Sequence, residues 1–179
     1  MLPDPLHPAL VHFPIVLVVL LPLAAGAALW AIRRGVQATR AWLVPVGFGL
    51  ALSLSSWVAV ETGEREEEKV EEVVAESTID AHADAAERFL ALSVALTALL
   101  SVGLVANRWG AAARIASVVA AVGLIGAGYQ VGHSGGALVY HHGAASAYLD
   151  GNPARVGDQD GEGRRTEGGR GRSERDDDP

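Results

Sequence analysis

Histidine is the residue type in this chain best equipped for chemistry, and six of them occur: His7, His12, His82, His133, His141 and His142. A neutral imidazole ligates haem iron, zinc or copper, so where the six gather decides what they can do. Cysteine is absent, which excludes disulfides, thiolate metal sites and covalent attachment of a c-type haem. Neither a hydrolytic nucleophile with its base nor a phosphate loop is visible, so an enzymatic role is not the leading expectation.

The elements that hold these residues are apolar. The chain has 179 residues, 50% of them hydrophobic, with a net charge of -7. Leu, Ala and Val collect in long blocks, while Asp, Glu and Arg are confined to connectors and a tail. A soluble core leaves a polar face on each element, and these blocks lack one. The acidic balance offers no clustered basic surface for nucleic acid. A bilayer core needs about 20 mostly apolar residues in a helix. Four stretches qualify, at about 8–32, 42–60, 89–106 and 114–133. Pro14 and Pro22 remove donors from the first, which membrane helices tolerate. A cleaved signal peptide would need a positive start, and nothing before Arg33 is basic. The expected fold is therefore all-α: an integral membrane four-helix bundle over residues 1–148, with 149–179 as a disordered polar tail.

Charge sets the expected orientation. Arg33, Arg34 and Arg40 follow the first span, and Arg108 and Arg114 surround the third connector, with no acid in either. Lys and Arg near span ends mark the cytoplasmic side. The chain is thus read as a multi-pass protein of the inner (plasma) membrane with both termini outside. Trp30, Trp42 and Trp109 sit beside the arginines, as an interfacial belt would.

The 61–88 connector is read as the longest loop. The eight Glu from Glu61 to Glu76 form a solvated face, with divalent-cation binding as the chemical alternative. Val70, Val73 and Val74 suit a short amphipathic helix over the bundle. Ser77 followed by Asp80 is a capping-box pattern that starts the third helix near Thr78. Gly128 and Gly132 have the spacing of closely packed membrane helices.

On this topology the histidines fall on one side, whichever way the protein inserts. His12, His82 and His133 each come from a different helix at similar depth, with His7 as a fourth candidate. This trio is the expected cofactor site. Two histidines on different helices can clamp a haem b, with Arg88 near a propionate; three or four can hold copper or zinc instead. Asp80 and Asp84 flank His82 and can orient its ring. His141 and His142 are adjacent, point apart in most backbones, and stand outside the main site. The competing reading of each histidine is structural, as a helix cap or a partner for a freed carbonyl.

Two segments carry a resemblance. Leu6-His7-Pro8-Ala9-Leu10-Val11-His12-Phe13-Pro14-Ile15 resembles the start of the DUF2231 membrane proteins. Gly132-His133-Ser134-Gly135-Gly136-Ala137-Leu138-Val139-Tyr140, followed by Gly143, resembles their closing motif. His82 fits the same layout, and the likeness covers about residues 1–148. The resemblance implies a four-span membrane domain and brings no established reaction. In some members that domain looks joined to electron-transfer modules, which favours a redox role by association only. Gly135-Gly136 is expected to make a sharp turn after the fourth span.

The leading expectation is a haem- or metal-binding membrane module that exchanges electrons with partner proteins at its outer face. A non-catalytic structural or partner-binding membrane subunit is the alternative. An ion or proton pathway is the weakest, because the span centres hold no ionisable residue.

Overall fold

The computed structural model describes residues 6–148; residues 1–5 and 149–179, including the expected disordered tail, lie outside the described residues. Among the described residues the chain is helical with no strand. It comprises α1 (His7–Leu10), α2 (His12–Arg33), α3 (Ala38–Glu71), α4 (Glu76–Val102) and α5 (Arg108–Tyr140), then a 3-10 turn over Ala144–Tyr148. With α1 and α2 taken as one span, four of these helices are long and apolar enough to cross a membrane. They pack as a ring in which α2 and α4 each lie against both α3 and α5. Short connectors make chain neighbours antiparallel, so the fold is an up-down four-helix membrane bundle.

The break between α1 and α2 is chemical. Pro14 has no N–H for the Leu10 carbonyl and its ring crowds that group, so α1 ends at Leu10 and α2 starts at His12. Pro8 lies in the first turn of α1, where a helix needs no donor. Pro22 and Pro45 lie inside α2 and α3 and remove one rung each.

Burial is inverted relative to a soluble bundle. Leu23, Leu54 and Val119 face outward at 65%, 62% and 69% exposure, while Ser93 and Ser117 are fully buried. That pattern fits lipid outside and close helix contact inside. Leu21 and Ala25 meet Trp42, Leu52, Leu100 and Ala121 in the core. Ser93 and Thr97 return their protons to Phe89 O and Ser93 O at 2.8 and 2.9 Å, and Ser53 reaches Thr97 across α3 and α4 at 3.0 Å. Of the two spaced glycines, only Gly128 marks a close approach: a Cβ there would lie 3.3 Å from the Phe89 ring, whereas Gly132 faces open space.

Several local expectations change. The 61–88 stretch is not a loop, because α3 runs on to Glu71 and α4 begins at Glu76. Glu, Lys and Arg are strong helix formers, and the Arg65–Glu61 pair at 2.8 Å spans one turn of that extension. The 34 residues of α3 measure about 51 Å at about 1.5 Å per residue, well beyond a hydrocarbon core about 30 Å thick. Ala75, not Ser77, is the N-cap of α4, and no side chain caps it. Gly135 and Gly136 stay inside α5, since membrane helices accept glycine; the chain turns at Gly143, at φ 71°. Trp42 belongs to the core rather than to an interfacial belt, its indole N–H donating to Leu100 O at 2.9 Å. Arg114 is buried too, its guanidinium donating to Gly103 O at 2.7 Å and Val105 O at 3.1 Å. It therefore caps the end of α4 instead of serving as a loop charge.

Candidate ligand site at the histidine end

One end of the bundle is formed by α1, the extended ends of α3 and α4, and the last turns of α5. His7 is fastened to α3 there. Its Nδ1 lies 2.8 Å from Ala59 O and 3.3 Å from Thr62 Oγ1. A carbonyl only accepts, so the ring proton is assigned to Nδ1. The backbone N–H groups of Leu6 and His7 donate to one carboxylate oxygen of Glu66 at 2.8 and 3.1 Å. That carboxylate satisfies donors that the first turn of a helix leaves open. Gly63 leaves room for the imidazole, since a Cβ there would stand 3.3 Å from His7 Cε1.

His82 is fastened to α5 in the same manner. Its Nδ1 lies 2.8 Å from Ser134 Oγ, and that hydroxyl donates its own proton to Val131 O at 3.1 Å. Ser134 therefore accepts from His82, which assigns the proton to Nδ1 again. The ring presses on the α5 backbone at Gly135, where a Cβ would come within 2.9 Å of His82 Cε1. His7 and His82 are electrostatic neighbours. The His82 ring also hydrogen-bonds to the backbone of Val131. Two imidazoles at this end are thus each held by hydrogen bonds to a neighbouring helix.

The rest of the expected set is placed differently. His12 is exposed. His133 is exposed as well and stacks on Tyr129, with ring centroids 5.8 Å apart and planes 12° from parallel. His141 and His142 are exposed. Among the described residues no group of three or more His, Asp or Glu stands close enough to hold a metal ion, so His12, His82 and His133 are not assembled as a ligand triad. Arg88, expected near a propionate, pairs with Asp84 at 3.2 Å on the surface. Ser134, rather than Asp80 or Asp84, orients the His82 ring. Around Glu67 the acids Glu64, Glu71, Glu76 and Asp80 form a negative patch beside the site.

Ser134 and Gly135 stand in the closing motif of the sequence, yet a turn there hid their role as the seat of His82. The contacts of His7 with Ala59 and Thr62 left no local signal, because they join residues more than fifty positions apart.

Fold and site together define a four-span helical membrane protein with a histidine-bearing polar end. The chain belongs to the DUF2231 family, whose model, described as "Predicted membrane protein (DUF2231)", matches residues 3–147. No curated protein and no solved structure matches it.

Proposed function

We propose that the protein is a haem- or metal-binding membrane module whose ligands at the histidine end are His82 and His7. The observation that carries this reading is the shared fastening of the two rings: each Nδ1 is held by an oxygen of a neighbouring helix. Histidines that ligate a metal are held in this way, the second nitrogen fixing the tautomer and the ring direction. His12 and His133 stand at the same end and join the ligand set only if their exposed side chains turn inward. Haem b is the first candidate, with copper or zinc as the alternative; all three accept imidazole.

In this reading the arginine end faces the cytoplasm, because Arg33, Arg34, Arg40 and Arg108 all lie there. Both termini and the histidine end then lie outside the inner membrane, where electron-transfer partners meet the site. A reporter fused after Asp150 should be active on the outer side; activity confined to the cytoplasm would invert this orientation.

A structural or partner-binding subunit is the second reading, favoured by the fact that His7 ties α1 to α3 and His82 ties α4 to α5. Protein purified in detergent from cells supplied with haem and trace metals separates the two. The ligand reading expects a haem absorption spectrum or a stoichiometric transition metal by elemental analysis. Colourless, metal-free protein leaves the structural reading.

A further inference from the structure

The end opposite the histidines carries a second feature, independent of the ligand reading. A groove of about 270 Å³ runs between α2 and α3, lined by Ala24, Ala27, Ala28 and Ala31 on one side and Ala41 and Val44 on the other. Ala27 and Val44 are exposed, so the groove opens on the lipid-facing surface. Its lower end is closed by the tight connector at Gly35, where φ is 96° and Val36 N–H donates to Ala31 O at 3.1 Å. Arg33 and Arg34 follow Ala31 at the end of α2, and Arg40 precedes Ala41 in the first turn of α3. All three are exposed, and none forms an ion pair among the described residues. Arg34 lies over the Trp30 ring at 5.0 Å, and indoles settle at headgroup depth. The sequence holds no Asp or Glu between Asp4 and Glu61, or between Glu87 and Asp150, so among the described residues no carboxylate at this end competes for the three cations.

We propose that this groove and its arginines form a site for an anionic phospholipid, one acyl chain lying along the alanines and the phosphate on Arg33, Arg34 and Arg40. The chemistry selects this occupant from two directions. A zwitterionic lipid supplies the chain but no net charge to offset three arginines. A free phosphate supplies the charge but leaves the apolar groove unfilled. Basic pockets between membrane helices hold acidic headgroups for the same reason.

The test is native mass spectrometry of the full chain in detergent. It is titrated separately with phosphatidylglycerol, with phosphatidylcholine of the same acyl chains, and with glycerol phosphate. Phosphatidylglycerol should bind at least about tenfold more tightly than either comparison. Arg34→Gln should weaken it about fivefold, the scale of one basic residue at a membrane surface. Ala27→Phe fills the groove from an exposed position and should weaken it by a similar factor with every arginine in place; Ala27→Leu should weaken it less. Equal binding of the two lipids would overturn the site. A preference for phosphatidylglycerol that survives Ala27→Phe would also overturn it, because diffuse charge then suffices. Binding of glycerol phosphate as tight as that of the lipid would make the groove irrelevant and refute the proposal.

Discussion

At the arginine end of the bundle, side chains cap the helix ends. Arg114 donates to the carbonyls of Gly103 and Val105 just past α4, Trp42 adds a second donor to Leu100 O, and the Asn107 side chain accepts from Trp109 N and Gly110 N at 2.9 and 3.0 Å to cap α5. At the histidine end, helices project past the apolar region, and two imidazoles tie helices together through Nδ1. The two ends therefore divide the work. One is closed because unsatisfied carbonyls in lipid are costly. The other is tied together by its two imidazoles, the proposed ligands.

Substitutions can break or sharpen this contrast. Arg114→Leu strands Gly103 O and Val105 O in an apolar setting and should lower stability by about 3 kcal/mol, read from denaturant unfolding in detergent. Gly110→Ala drives a Cβ into the Val105 carbonyl, part of the backbone, and should cost about 2 kcal/mol in the same assay. Ser134→Ala removes the hydroxyl's contacts with His82 and Val131 O and should cost about 1 kcal/mol, while lowering the content of bound haem or metal. His133→Ala, at an exposed ring that touches Tyr129, should fall within about 0.5 kcal/mol of the unmodified protein. If Arg114→Leu costs no more than Ser134→Ala, the two ends are not built differently and the contrast fails.

The spans were legible because bilayer thickness imposes a length and composition that no other element satisfies. Their ends were less so. The acidic stretch after Val60 reads as a loop by polarity, yet its Glu, Lys and Arg favour helix, and α3 continues for three turns. Trp42 and Arg114 read as interfacial by type; both are buried because carbonyls of α4 need donors, a tertiary demand that no local pattern records. The histidines' common side followed from the span count alone. Which of them face inward did not, since it depends on Gly63 and Gly135 clearing space for His7 and His82 from other helices. The proposed ligand pair therefore takes in His7, first read as a fourth candidate, together with His82.

The central claim is that His7 and His82 hold a ligand. Its most direct measurement is bound haem, by absorption, and bound transition metal, by elemental analysis, per purified chain. The unmodified protein is compared with His7→Ala, His82→Ala, His12→Ala and His133→Ala. The account predicts about one equivalent in the unmodified protein, loss in the His7 and His82 variants, and retention in the other two. No ligand in the unmodified protein, or a content that His7→Ala and His82→Ala leave unchanged, would contradict it.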